Sequence, residues 1–235
     1  MAPSIITDIF SIILNLIYPR TCMYCNGFTA ITPIGLCRTC WDSVPATGLG
    51  NWVDRVTNHA ALDAAWSGWY FDEKLQAVIH SFKYQDTPKF AFHLGRFLAR
   101  ELRPEFMQAD PDVLIPVPLH AVKARDRGYN QAEWIARGMS RELSLPVVSH
   151  WVKRIRYTES QTALTVFQRK ENVSGAFMVT QDMTGLTVAI VDDVLTTGST
   201  LSGVAQACKA AGAKETLGIT LATPQDTKKG NGNDT

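Results

Sequence analysis

The stretch that most constrains this chain runs from Leu186 to Thr200 and reads LTVAIVDDVLTTGST. Leu186 to Val191 is a continuous apolar run. Strands read that way when both of their faces are buried, as in a parallel sheet covered by helices. The run ends in two adjacent carboxylates, Asp192 and Asp193. A short hydroxyl-rich loop follows, and then helical sequence from Thr200 to Ala211 with Gly212 as its stop. A loop that feeds a helix N-terminus offers free N–H groups and the positive end of the helix dipole to an anion. Gly198 lets the backbone come close to a phosphate, and Thr196, Thr197, Ser199 and Thr200 add hydroxyl donors. Paired carboxylates at a strand end bind a diol directly or through Mg2+. A ribose diol and a 5′-phosphate therefore fit side by side. The bland alternative is a helix cap with two solvated acids. The unbroken run of small and hydroxyl residues from Thr196 to Thr200 argues against it. Neither G-x-x-x-x-G-K-[ST] nor G-x-G-x-x-G occurs.

Other segments alternate in the same way. Ala64–Phe71 is strand-like, and residues from Asp72 carry apolar side chains at 75, 78, 79 and 82, which is helical spacing. Thr87-Pro88 is a helix start, with Thr87 as the cap and proline at the first position. Leu94, Phe97, Leu98 and Leu102 share one face. Residues 112–118 predict a buried strand, 129–143 a helix, 147–152 a strand, 153–175 a polar loop or hairpin, 177–179 a short strand and 215–222 another. Alternating strands and helices predict an α/β fold with a mainly parallel sheet flanked by helices. The chain has 235 residues, 46% hydrophobic and 19% charged, which excludes whole-chain disorder, collagen and coiled coil.

Four of the five cysteines form two C-x-x-C knuckles, Cys22/Cys25 and Cys37/Cys40, separated by eleven residues. Four thiolates at this spacing suit a closed, tetrahedral, structural zinc site. The alternative is a pair of redox dithiols, but neither knuckle opens the helix of a βαβ unit. Cys208 lies in an apolar helix and reads as a small buried residue. Around the knuckles Arg20 and Arg38 stand against Asp42, a thin electrostatic footprint for nucleic acid. Residues 1–17 read as a short amphipathic helix. The apolar run Ser4–Ile17 is shorter than the roughly 20 residues of a spanning helix and lacks the basic start of an export signal. No transmembrane span is expected, and a cytoplasmic location with reduced thiols is. The segments are then a helix over 1–17, a zinc ribbon over 18–45, a linker over 46–62, an α/β domain over 63–223 and a disordered tail over 224–235.

VAIVDDVLTTGST resembles the phosphoribosyl-pyrophosphate (PRPP) motif of type I phosphoribosyltransferases. Together with FKY at 82–84, IPVPLH at 115–120, RDRGYNQAE at 125–133 and QTALTVFQRKENVSGAF at 161–177, the chain resembles the ComF family over about residues 18–223. That family joins a four-cysteine zinc ribbon to a type I phosphoribosyltransferase-like domain. The resemblance implies that Asp192 and Asp193 meet the ribose hydroxyls, with Mg2+, and that Thr196, Thr197, Gly198, Ser199 and Thr200 hold the 5′-phosphate. It places pyrophosphate at the turn after strand 112–117, which makes Arg125 and Arg127 catalytic candidates beside Lys123. It makes 153–175 a hood over the site, with Arg154, Gln161 and Arg169 as candidates and Lys83 as a further phosphate contact.

Net charge is +1, but residues 120–170 hold ten Lys/Arg and four Asp/Glu, so a +6 segment sits in a −5 remainder. A basic face beside a phosphate loop fits PRPP, a nucleotide or a single DNA strand. Two functions compete. One is a ComF-like protein that binds PRPP or a related phosphoribosyl ligand and acts in DNA uptake during natural transformation, with DNA-uptake proteins as partners. The other is a metabolic enzyme that transfers phosphoribosyl from PRPP to a nitrogen acceptor. Base-dependent release of pyrophosphate distinguishes them. A homodimer is the expectation by analogy with type I phosphoribosyltransferases.

Overall fold

The computed structural model describes residues 21–28, 30–48, 50–56, 59–85, 87–120, 125–155 and 175–225. The expected helix over 1–17, Lys123, Gln161, Arg169 and most of the tail lie outside these residues. Six strands occur among the described residues: β1 (Ala64–Tyr70), β2 (Val113–Pro116), β3 (Val152–Arg154), β4 (Phe177–Val179), β5 (Thr187–Val194) and β6 (Glu215–Thr223). The α-helices bounded within the described residues are α1 (Arg38–Asp42), α2 (Glu73–Tyr84), α3 (Pro88–Glu101), α4 (Arg103–Ala109), α5 (Gln131–Leu143) and α6 (Ser199–Ala210).

Four strands form one all-parallel sheet in the order β1-β6-β5-β2. Successive side chains of a strand point to opposite faces, and here both faces are covered. Leu114, Ala189, Val191, Leu217 and Ile219 join one core with residues of α2, α3 and α5. Val113, Ile115, Val188 and Ile190 join a second core with Leu201, Val204, Ala205 and Cys208 of α6. The unbroken apolar run of β5 is the sequence trace of this double burial.

Local signals start most helices where the sequence predicts. Asp72 caps α2 by accepting from the Leu75 amide at 2.9 Å. Asn130 caps α5 by accepting from Ala132 N at 3.0 Å while its own amide donates to the Val117 carbonyl at 3.0 Å. Pro88 begins α3, but the Thr87 side chain does not cap it. The Thr87 hydroxyl lies 2.6 Å from that of Ser81 instead. The strand expected over 147–152 is reduced to a parallel bridge between Val147 and Leu114, with β3 beginning at Val152. β3 and β4 pair antiparallel, and residues 156–174 of the polar stretch between them lie outside the described residues.

Helices α3 and α5 cross at unusually short range. A Cβ on Gly95 would lie 2.1 Å from the Ile135 carbonyl oxygen, and one on Gly138 would lie 2.0 Å from that of Phe92. Glu142 of α5 fastens the crossing, accepting from Arg96 at 2.5 Å and from Arg100 at 3.0 Å.

The described residues 46–48 and 50–56 run along β1, the edge strand of the sheet. Ala46 bridges to Trp69, Trp52 N donates to the Ala65 carbonyl at 2.7 Å, and Asn51 Oδ1 accepts from Ala65 N at 3.0 Å. Trp52, Val56 and Leu62 are buried. An exposed edge would invite pairing with another chain, and this segment covers it. Among the described residues no helix is long and apolar enough to cross a membrane.

Candidate functional site

From β5 the chain passes through α6 to β6 on one side. From β2 it passes through α5 to Val147, which bridges to the far side of β2. Strand order therefore reverses between β2 and β5. In open α/β sheets, ligands bind in the crevice beyond the carboxyl ends of the strands at such a reversal. Two segments meet there: the Asp192–Thr200 loop and the described parts of the turn after β2, residues 117–120 and 125–130. Their strands are tied to the end, with Val117 N donating to the Val191 carbonyl at 2.9 Å.

The loop turns through Gly198, whose φ of 68° is the left-handed region. A side chain there would also strike Val56, at 2.6 Å from its Cγ1. Glycine is thus required twice over. Gly198 is the N-cap of α6 and offers no capping side chain. The Thr197 hydroxyl donates to Ser199 Oγ at 3.1 Å and accepts weakly from Ser199 N at 3.4 Å. Gly198 and Ser199 are buried, Thr197 and Thr200 half-buried and Thr196 exposed. The hydroxyls of this loop lie before and within the first turn of α6, whose opening amides have no intrahelical acceptor. A helix end of this kind can receive an anion.

Two acids sit at the end of β5, and the surroundings change the ionisation of Asp192. Asp193 is buried, with Oδ2 2.6 Å from Lys83 Nζ at the end of α2. Asp192 accepts from the Asp193 amide at 2.9 Å. Burial, and then the charge of Asp193, push Asp192 up to about 7 against the opposing pull of Lys83 and Arg154. Burial pushes the Arg154 guanidinium down while Asp192 pulls it back up. Arg154 also lies over the Phe177 ring, 5.5 Å from its centroid. The structure thus brings Asp192, Asp193, Lys83 and Arg154 together from β5, α2 and β3.

The turn after β2 is tied to the end of α2. The Tyr129 hydroxyl donates to the Phe82 carbonyl. The Arg127 guanidinium donates to Gln131 Oε1 at 2.9 Å and lies 5.3 Å from the Tyr84 ring centroid. Arg125 is exposed. The residue with no sequence signal at all is Val56, which backs Gly198 from a stretch of Gly, Asn and Asp. The Lys83–Asp193 pair joins two motifs that the sequence shows separately, FKY and VDDV.

The cysteine knuckles converge as their spacing predicts. The four Sγ atoms of Cys22, Cys25, Cys37 and Cys40 lie within 4.8 Å of one another. A Zn–S bond of about 2.3 Å sets sulfurs about 3.8 Å apart in a tetrahedron, and Cys25 and Cys37 stand at 3.8 Å. The Cys40 amide donates to Cys37 Sγ at 3.4 Å at the start of α1, and three backbone amides face Cys22. Burial raises Cys22, but those amides outweigh it and hold the thiol down at about 6. Burial and the neighbouring thiols push Cys40 up to about 12. Amide donors aimed at sulfur favour thiolate, the form that binds metal. These four residues can hold a zinc ion. Cys208, in α6, is pushed up to about 12 by burial alone, as an inert core thiol is.

A parallel sheet that ends at its reversal point in an acidic pair and a glycine-turned hydroxyl loop defines a phosphoribosyltransferase-like domain. Residues 81–234 match the family described as phosphoribosyl transferase domain. The chain is 31% identical over 216 residues to "Competence protein F" of Haemophilus influenzae, which covers 83% of this chain and 93% of that protein. It belongs to the ComF family, in which the four-cysteine cluster precedes that domain. It is also similar to "DNA utilization protein YhgH" of Escherichia coli K12, 35% identical over 136 residues, 56% of this chain and 60% of that one. "Competence protein ComFC" of Bacillus subtilis is 23% identical over 156 residues, 64% of this chain and 60% of that one. Among solved structures, a purine phosphoribosyltransferase of Pyrococcus horikoshii is 25% identical, with a TM-score of 0.35 over 57% of this chain and 74% of that one.

Proposed function

We propose that this protein binds PRPP or a related phosphoribosyl ligand, with Mg2+, in the crevice between β2 and β5, and that it acts in DNA uptake. The observation that carries the first part is the Asp192–Thr200 loop itself. Two carboxylates, a left-handed glycine and four hydroxyls follow one another within nine residues at the reversal of the sheet. Asp192 and Asp193 receive the 2′- and 3′-hydroxyls, directly or through Mg2+. Thr196 to Thr200 and the amides of α6 receive the 5′-phosphate. Arg125 and Arg127, with Lys123 and the hood residues Gln161 and Arg169, belong to the pyrophosphate side. Lys83 and Arg154 hold the acidic pair in place. Zinc on the four cysteines is structural, since a set of four thiolates leaves no open position.

A DNA end fits this seat poorly, because deoxyribose lacks the 2′-hydroxyl that the acidic pair reads. The role in DNA uptake is supported by the names of the relatives, and DNA would be met elsewhere on the surface. Should the site turn over, the C1–oxygen bond to pyrophosphate breaks and a bond from C1 to the acceptor nitrogen forms. The acceptor's proton then passes to solvent, and the protein contributes positioning and charge stabilisation.

Calorimetric titration with PRPP and ribose 5-phosphate in Mg2+ tests the reading. Binding should be saturable and should fall by at least about tenfold in Asp192→Ala/Asp193→Ala, since two charge-assisted hydrogen bonds go. Deoxyribose 5-phosphate should bind more weakly than ribose 5-phosphate. Equal binding of the two sugars, or binding that survives the double substitution, would remove the acidic pair from the site. Pyrophosphate release with a panel of bases separates an enzyme from a binding protein.

A further inference from the structure

We propose that Cys25 is a modification site, the cysteine at which hydrogen peroxide and soft electrophiles enter the ribbon, and that Cys37 resolves its oxidised sulfur as a disulfide joining the two knuckles. This adds a reaction to what is otherwise a structural metal site.

The four sulfurs form one cluster, but the chain does not shelter them equally. Cys22, Cys37 and Cys40 are buried, at 0%, 3% and 8% exposed, whereas Cys25 is exposed. Local structure explains the difference. Cys25 lies in a tight turn closed by Asn26 N on the Cys22 carbonyl at 2.9 Å and by Cys22 N on the Gly27 carbonyl at 2.8 Å. Cys22 opens that turn from inside the core, where it packs with Ile34 and Leu36. Cys37 and Cys40 are held at the start of α1, with the Cys40 amide on Cys37 Sγ at 3.4 Å. A Cβ at Gly27 would meet Cys25 Sγ at 3.3 Å, so glycine leaves that flank of the sulfur open. The reactivity of a cysteine follows its thiolate character and its exposure. A zinc ion bound here would keep all four thiols deprotonated, so exposure decides among them.

Geometry also picks the partner. Cys37 Sγ, on the other knuckle, is 3.8 Å from Cys25 Sγ. A disulfide needs about 2.05 Å, so the two sulfurs have only a short distance to close. The Cys25 sulfur attacks one peroxide oxygen, the O–O bond breaks, and a sulfenic acid and one water result. The Cys37 sulfur then attacks that sulfur, the S–O bond breaks and a second water leaves. Two thiolates, one peroxide and two protons thus give one disulfide and two waters. The sulfur pair loses two electrons and the peroxide gains them. A metal held by the cluster is left with two of its four donors and is released.

The test uses the full-length wild-type protein purified without chelators. Limiting iodoacetamide or hydrogen peroxide is followed by unfolding, blocking of the remaining thiols and digestion with chymotrypsin. Cuts after Tyr24, Phe28 and Leu36 put Cys22, Cys25 and Cys37 on separate peptides, and fragmentation tells Cys37 from Cys40. Iodoacetamide should label Cys25 before any other cysteine, with Cys208 of α6 last. Peroxide should join Cys25 to Cys37, with the loss of two thiols for each ion that a metal-sensitive dye detects, and a thiol reductant should restore both thiols. Even labelling of the four, first labelling of another cysteine, or any disulfide other than Cys25–Cys37 overturns the assignment. Metal analysis of the untreated protein is a separate readout. A protein without metal would remove the zinc site, while Cys25 labelled first and bonded to Cys37 upholds the modification site whichever way that analysis falls.

Discussion

Lys83 and Asp193 form the tightest charge pair near the site, 2.6 Å apart with side chains 20% and 9% exposed. Removing one partner of a buried pair leaves the other charge uncompensated, at a cost of about 3–5 kcal/mol when both are fully enclosed. Lys83 keeps some solvent, so Lys83→Met should destabilise by about 2–3 kcal/mol. Adding Asp193→Asn should restore most of that. Urea unfolding at pH 7.5 measures both, and a Lys83→Met protein as stable as wild type would show the pair to be inert. Asp192 carries a pH signature. Its folded value, raised to about 7 from an ordinary 3.8, means that between those limits the folded state keeps a proton the unfolded chain has released. Its contribution to stability therefore falls as pH rises through that window and is constant above it. Asp192→Asn should gain on wild type at pH 8 by on the order of a few kcal/mol, and the gain should vanish near pH 4. Unfolding of both proteins at pH 4, 6 and 8 checks this, and a difference independent of pH would refute it. These acids and the hydroxyl loop were legible in the sequence because they are consecutive residues on one strand–loop–helix. Lys83 and Arg154 were legible only as candidates, because tertiary packing of α2 and β3 decides where they point. Val56 was not legible, since contact with a glycine in another segment leaves no pattern.

At the scale of elements, most helices and strands were readable because each carries its own period and cap. The break between α3 and α4 was not foreseen, since the apolar face of α3 continues to Leu102. Pro104 explains it: a proline inside the helix would remove an i→i−4 bond and strike the preceding turn. The closeness of α3 and α5 was also invisible, because Gly95 and Gly138 in separate helices announce nothing by themselves. Ordinarily Gly→Ala in a helix gains about 0.5–1 kcal/mol. Here an added methyl at 95 would sit 2.1 Å from the Ile135 carbonyl oxygen, a backbone atom that cannot step aside. Gly95→Ala should therefore lose about 2–4 kcal/mol as the helices are pushed apart, and a stabilised variant would show the crossing to be looser. Glu142 closes the same crossing. Hydrogen bonds from Arg100, and then from Arg96, hold its carboxyl down at about 2. A depressed carboxylate adds stability that is present above its unfolded value near 4.5 and lost as pH falls towards 2. Both guanidiniums are partly exposed, so Glu142→Gln should cost only about 1–2 kcal/mol at pH 7. The two proteins should converge in acid.

At the scale of the molecule, changes of composition mark the ribbon, the stretch after it and the α/β domain as separate textures. Texture says nothing about shared packing, and here the packing is shared. Ile34, Leu36 and Val44 lie in the same core as Leu75, Phe82, Leu94 and Leu98. Trp41 of α1 stacks at 5.1 Å from Trp69 of β1 and 5.3 Å from Phe97 of α3. Gly35, at a φ of 83°, leaves just enough room for Phe90, whose ring a Cβ would meet at 3.0 Å. A module this small cannot bury enough surface to hold itself without a staple. Its cysteines therefore position residues that also roof the helices α2 and α3. Stripping metal with a chelator, or Cys37→Ser, should accordingly lower the unfolding midpoint of the whole protein and not only loosen the ribbon. For a chain of this size each lost kcal/mol shifts the midpoint by about 2–4 °C. Far-UV circular dichroism and tryptophan fluorescence should move together, because Trp41 and Trp69 report the junction and the helices report the domain. A domain transition that stays in place while only the fluorescence changes would mean that the ribbon hangs on the fold without supporting it. Metal analysis of the untreated protein fixes the starting point, at one zinc for four cysteines.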